Sequence, residues 1–190
     1  MVLKERNNLP FSLIARSLNQ DNIDDFKLAD KLVNLTMYSG KKEKAFKIVT
    51  KALSIVKSSL RSSVMHSVAV SNQKNNQRGA NKITSGIVGL KQAVLNVQPY
   101  IELRKVRVHR TVHQVPSSIT ETRQQGIALR WIIEAARSLR KSARGKLDFS
   151  SALARVIIDA INKEGPVRQK RDSLHKAAEA NRSSAHLRWW

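Results

Sequence analysis

Cysteine is absent from the 190 residues, which excludes a disulfide scaffold, a thiolate metal site and a thiol nucleophile. No run of about 18 apolar residues occurs, so no membrane-spanning helix is expected. The seven glycines form no dinucleotide-binding motif, and no internal repeat is present. His66, His109, His113, His175 and His186 lack metal-ligand spacing, and no serine stands in a nucleophile-elbow context. Asp24-Asp25 reads as a solvated pair in a tail. No catalytic residue, metal or cofactor is therefore expected.

The most telling scarcity is of acid. There are 14 Asp and Glu against 35 Lys and Arg, giving a net charge of +21. From Lys44 to Ile101 there are 9 basic residues and no acidic one, while residues 1–43 are nearly balanced and residues 102–190 carry 19 basic against 8 acidic. Soluble surfaces usually intersperse both signs. Self-repulsion of this size is relieved by a large polyanion, whose condensed counterions are released on binding. The 41% of apolar residues is enough for a core and argues against wholesale disorder.

Residues 1–25 have the composition of an N-terminal extension, and Glu5, Asp21, Asp24 and Asp25 argue against a mitochondrial presequence, because transit peptides are acid-poor. Residues 26–190 read as a single domain, mainly α: six helices and one protruding β-hairpin. The first helix spans Phe26 to Met37, with Leu28, Leu32 and Leu35 inside, and stops at Ser39-Gly40. The second runs from Lys42 to Leu60 on a stripe of Ala45, Val49, Ala52, Val56 and Leu60. Residues 61–83, rich in Ser, Asn, Gln and Lys, read as a long loop or mobile insertion. A third helix, capped by Thr84 or Ser85, ends before Pro99. Strand material follows from Ile101 to Val115. A phase change suggests a bulge near Arg104-Lys105, and a turn near His109-Arg110, lacking Gly and Asn, disfavours a tight primed turn. Ser118-Ile119-Thr120-Glu121 has the form of a capping box for a helix to Ser142, with Ile127, Trp131, Ala135 and Leu139 facing inward. Asp148 or Ser150 caps the next helix, which Gly165 closes, and Pro166 starts a last one towards His186.

Two arginine patterns stand out. Arg123, Arg130, Arg137 and Arg144 recur every seven residues, so they form one helix edge that Arg140 and Lys141 widen. Guanidiniums in such a row grip phosphates bidentately. Their alternative partners within the chain are Glu121 and Glu134. On the last helix Arg168, Arg171, His175 and Arg182 share a face, and the chain ends Arg188-Trp189-Trp190. Those tryptophans could stack on bases or close over the core, with Trp189 expected to pack and Trp190 to be displayed. Arg104, Lys105, Arg107 and Arg110, with His109 and His113, make the hairpin a basic finger suited to a nucleic-acid groove. A basic edge is also a guard against strand-edge aggregation.

The sequence resembles the family of the small-subunit ribosomal protein number seven. The resemblance is carried by Lys31-Leu32-Val33-Asn34, Gly40-Lys41-Lys42, Asn96-Val97-Gln98-Pro99, Glu102-Leu103-Arg104 and Gln114-Val115-Pro116. It continues through Ala128-Leu129-Arg130-Trp131-Ile132, Glu134-Ala135-Ala136-Arg137, Lys170-Arg171, Ala178-Glu179-Ala180-Asn181-Arg182 and Ala185-His186-Leu187-Arg188-Trp189. It covers residues 26–190 apart from 61–83. It implies a six-helix fold with a protruding hairpin, binding to the 3′ major domain of the small-subunit ribosomal RNA, and a nucleating role in assembly of the subunit head. Lys41, Lys42, Arg104, Lys105, Arg107, Arg123, Arg130, Arg137, Arg140, Lys141, Arg168, Lys170, Arg171, Arg182 and Arg188 are the expected rRNA-binding residues. The resemblance also implies neighbouring head and platform proteins, the eleventh of the small subunit among them, and a hairpin (His109, Arg110, His113, Gln114) near the exit-site tRNA and the mRNA path. His109-Arg110 and His113 depart from the family's Gly-Gly tip and following Tyr. The insertion and the doubled terminal tryptophan point to a mitochondrial ribosome, with a plastid or a bacterial cytoplasm as the alternatives. The competing function classes are an RNA-modifying enzyme, which needs a cofactor pocket or catalytic pair that the sequence lacks, and a basic membrane-surface protein, which vesicle flotation would reveal.

Overall fold

The computed structural model describes residues 23–70 and 86–190, with six α-helices and one antiparallel hairpin among them. They are α1 (Ile23–Thr36), α2 (Lys42–Val70), α3 (Gly86–Val97), β1 (Ile101–Val108), β2 (Thr111–Ser118), α4 (Glu121–Ser142), α5 (Phe149–Ile161) and α6 (Gly165–Ala180), followed by a short 3-10 helix, Arg182–Leu187. None of the described helices is long and apolar enough to cross a membrane.

The mainly α fold with its hairpin is the expected one, and α5 is its centre. It touches α2, α3, α4 and α6, and Leu153, Val156, Ile157 and Ala160 are buried. Burying a Leu or Ile side chain contributes about 1.5–3 kcal/mol, so a helix apolar on nearly every side is stable only in such a place. All five residues of the expected α2 stripe, from Ala45 to Leu60, are buried. α3 lies close against α2 because Gly86 and Gly89 have no side chain: a Cβ at Gly86 would stand 2.3 Å from the Leu53 carbonyl oxygen. The reversal between α1 and α2 uses the left-handed region at Ser39 (φ 50°) and Gly40 (φ 70°), a conformation glycine adopts without steric cost.

Several expectations are corrected. α2 continues to Val70, so 61–70 is helix and not loop; no Gly or Pro occurs between Lys42 and Val70, and an established helix propagates at one hydrogen bond per residue. The rest of the expected insertion, the proposed Thr84 or Ser85 cap and most of the N-terminal extension lie outside the described residues. In α4 the fully buried seam is Ala128, Leu129, Ile132, Ile133 and Ala136, while Ile127, Trp131, Ala135 and Leu139 are half-buried at its edge. There is no capping box: Ser118 belongs to β2, and Thr120 is the N-cap of α4 without a side-chain bond. Asp148 is the N-cap of α5, but its carboxylate does not close that cap; it accepts from Lys51 Nζ at 2.8 Å and Ser150 Oγ at 2.6 Å. The last helix stops at Ala180, where the Asn181 amide donates back to the Ala177 carbonyl at 2.7 Å and the chain tightens into the 3-10 turn.

The hairpin has no bulge. Its ladder runs unbroken from Ile101↔Ser118 to Val108↔Thr111, leaving His109-Arg110 as a two-residue turn. The sequence disfavours that turn, yet His109 adopts φ 53° and Thr111 Oγ1 donates to the Val108 carbonyl at 3.1 Å. The phase change needs no break in the strand: Leu103 and Val106 lie on its opposite faces and both are half-buried, Val106 beside the groove that Trp189 and Trp190 also line.

Candidate nucleic-acid interface

The outer face of α4 follows from its inner one. With the small and apolar side chains turned to α5, the positions seven apart are carried to solvent, and Arg130, Arg137, Arg140 and Lys141 are all exposed. None of these four has an ion-pair partner among the described residues, because the acids that could answer them are engaged elsewhere. Glu134 accepts from Lys170 Nζ at 2.6 Å, and Glu121 accepts from Gln125 Nε2 at 3.4 Å. Arg144 lies beyond the end of α4 in a turn, at φ 50°, so it is not on the helix edge.

Arg123, the first of the row, is an anchor. Its Nε and Nη2 donate to the two Glu102 oxygens at 2.7 and 3.1 Å, fixing the base of β1 to the start of α4, and Arg104 Nε adds a third contact at 3.3 Å. Burial pushes the Glu102 carboxyl up, but the Arg123 and Arg104 guanidiniums outweigh it and hold the group below the usual carboxylate range. Farther out, Lys105, Arg107 and Arg110 are exposed and without carboxylate partners among the described residues. His109 and Arg110 form the exposed tip; Gln114 is exposed, and His113 is half-buried with its Nε2 2.9 Å from Thr111 Oγ1. Lys41 and Lys42 are exposed at the entry to α2, and Arg182 and Arg188 are exposed near the C-terminus.

The α6 stripe behaves differently. Arg168 Nη1 and Arg171 Nη1 both donate to the Asn96 carbonyl, at 2.7 and 2.9 Å, and both guanidiniums bind Asp172. Two cations thus meet the carbonyl end of α3, where the helix dipole is negative. The Nε2 of His175, on the same face, accepts the Tyr100 N–H at 3.4 Å; burial and the neighbouring Arg171 lower its pKa from 6.5 despite Asp172. Lys170 lies 5.6 Å from the Trp131 ring centroid, besides pairing with Glu134. Arg123, Arg168, Lys170 and Arg171 therefore hold the fold together, and the open cations are those of the α4 face, the hairpin, the α2 entry and the C-terminus. The residue that sequence reasoning missed is Asn96. Its buried amide donates to the Ala160 and Ile161 carbonyls at 3.0 and 2.9 Å, joining α3 to α5. The available signal was an asparagine within the apolar run Val94-Leu95-Asn96-Val97.

A helical body with a basic finger and a row of unanswered arginines belongs to the class of proteins that face a polyanion. A family model described as ribosomal protein S7p/S5e matches residues 8–182. The chain is 32% identical over 174 residues to the small ribosomal subunit protein uS7 of a Nitratiruptor species, covering 92% of this chain and 95% of that one. It is 35% identical over 174 residues to uS7 of Dictyoglomus thermophilum, with 92% and 94% covered, and 44% identical over 101 residues to uS7m of Marchantia polymorpha, with 53% and 44% covered. The chain belongs to the S7p/S5e family of ribosomal proteins. These are structural proteins, so it is not an enzyme.

Proposed function

We propose that this chain acts within the ribosome by phosphate neutralisation and shape recognition, its α4 face lying against the 3′ major domain of the small-subunit ribosomal RNA. It is a structural constituent of the small ribosomal subunit, as its relatives are by name. Residues 26–190 form the RNA-binding domain, which nucleates assembly of the subunit head beside neighbouring head and platform proteins. Lys41, Lys42, Lys105, Arg107, Arg130, Arg137, Arg140, Lys141, Arg182 and Arg188 contact the RNA, while Arg104, Arg123, Arg168, Lys170 and Arg171 hold the surfaces that present them. The exposed tip at His109-Arg110 lies towards the exit-site tRNA and the messenger path, with His113 and Gln114 behind it. The 44% identity to the uS7m protein over 101 residues is in keeping with a mitochondrial ribosome.

The observation that carries this reading is the absence of any carboxylate partner for Arg130, Arg137, Arg140 and Lys141 among the described residues. Reversing the charge of Arg130 and Arg137 together should weaken binding to 3′ major domain RNA with the far-UV circular dichroism unchanged. It should also lower the slope of log affinity against log salt by about 0.7–0.9 for each phosphate that is no longer neutralised. An unchanged affinity and slope would remove the α4 face from the interface.

A further inference from the structure

We propose that Trp189, with Lys105 and Arg107, forms a stacking site for an unpaired nucleotide of single-stranded RNA. The inference rests on the RNA-binding reading above but uses a different surface. A groove of ≈ 450 Å³ runs between β1 and the last two residues, lined by Arg104, Lys105, Val106, Arg107, Trp189 and Trp190. The sequence expectation for the two tryptophans is reversed there. Trp189 is 81% exposed, whereas Trp190 is 37% exposed and is backed by the Arg104 guanidinium at 5.1 Å from its ring centroid.

The two indoles meet edge to face, 5.8 Å apart at 85°. Trp190 is thereby held between a cation and its neighbour, and it braces Trp189 while leaving most of that ring in water. An exposed indole costs hydrophobic free energy that a stacked base recovers, and any base can supply the π-face. The charges around it select for nucleic acid over an apolar protein partner. Lys105 and Arg107 have no carboxylate partner among the described residues, and Glu102, the acid of this strand, is occupied by Arg123 and Arg104. Base-stacking ring and phosphate-binding cations therefore border one groove, the combination by which single strands are held without base-specific hydrogen bonds.

The test is fluorescence anisotropy with a labelled eight-nucleotide oligoadenylate and with a backbone of the same length and charge carrying no bases, at one fixed salt concentration. Trp189→Ala should weaken oligoadenylate binding about 5- to 150-fold, the range of a lost base–aromatic stack. Trp189→Phe should restore most of it. The abasic strand should bind the native protein as weakly as oligoadenylate binds Trp189→Ala. Equal binding of the abasic strand, an unaffected Trp189→Ala variant, or no saturable binding of oligoadenylate by the native protein would each overturn the proposal. Binding of 3′ major domain RNA, measured in parallel, separates the two readings. If that RNA binds and responds to Arg130 and Arg137 while oligoadenylate fails, only the stacking site is lost; if that RNA does not bind either, the reading beneath it fails as well.

Discussion

Removing the Asn96 side chain should cost far more than a single asparagine at the edge of a helix suggests. Its amide donates two hydrogen bonds to the last carbonyls of α5, at 3.0 and 2.9 Å, and its oxygen accepts one from Gln92 at 3.2 Å, all with the residue only 8% exposed. A typical internal hydrogen bond contributes about 0.5–1.5 kcal/mol, and leaving a buried partner unmade costs about 1–3 kcal/mol. Asn96→Ala removes the donor to the Ile161 carbonyl and one of the donors to the Ala160 carbonyl, which keeps the Lys163 N–H at 3.2 Å, so one orphaned acceptor and one further lost hydrogen bond lead to an expected loss of about 2–4 kcal/mol. At about 2–4 °C per kcal/mol for a chain of this size, the melting temperature should fall by about 4–16 °C. Asn96→Asp keeps the volume but sets a carboxylate against two carbonyl oxygens, so it should be destabilised too, even though Arg168 and Arg171 stand near. Urea unfolding of the RNA-free protein followed by far-UV circular dichroism measures both. An Asn96→Ala loss below about 1 kcal/mol, less than one buried orphan costs, would refute the view that this amide joins α3 to α5.

Gly86→Ala tests the approach of α3 to α2: the new Cβ would lie 2.3 Å from the Leu53 carbonyl oxygen, a backbone atom that cannot rotate away. Overpacking of this kind costs about 1–3 kcal/mol, and a melting temperature equal to the native one would show that the helices are not in contact there. His175 predicts a pH dependence. Its folded pKa lies below 6.5, so as pH falls below 6.5 the unfolded chain takes up the proton first. This contribution to stability is complete above 6.5 and is lost towards the lowered folded value. His175→Gln should flatten the stability profile in that window, and an unchanged profile would mean that the ring does not titrate differently on folding.

What is legible in the sequence is whatever depends on one helix alone. The α2 stripe from Ala45 to Leu60 is buried as its spacing requires. In α4 the same reasoning favours the large residues Trp131 and Leu139, but the buried seam includes the small Ala128 and Ala136 beside Leu129, Ile132 and Ile133. Side-chain size therefore points to the edge of the seam and not to its centre. The bulge expected in β1 is likewise absent: Leu103 and Val106 are half-buried on opposite faces of a regular strand, so the change of phase needs no extra residue. The tryptophans have the reverse of their expected roles, and the Arg104 guanidinium that backs Trp190 comes from the hairpin, far away in sequence.

The arginines show why a charge count alone identifies a class of partner better than it identifies contacts. Arg130 and Arg168 look alike in sequence, each on a helix face with few acids near. Their difference lies in the Asn96 carbonyl, a neutral backbone group that no tally of side-chain charge registers, and that Arg168 and Arg171 reach at 2.7 and 2.9 Å. A guanidinium fixed in this way loses donors that a phosphate would otherwise use, and moving it to RNA would leave the end of α3 unsatisfied. The excess charge is thus of two kinds. One part ties helix ends and the hairpin base to the core, and is needed whether or not RNA is present. The other has no partner among the described residues, and its mutual repulsion is what binding to RNA relieves. Neutralising the first kind should lower stability in the free protein, whereas neutralising the second should leave the free protein as stable or more so while weakening its hold on RNA.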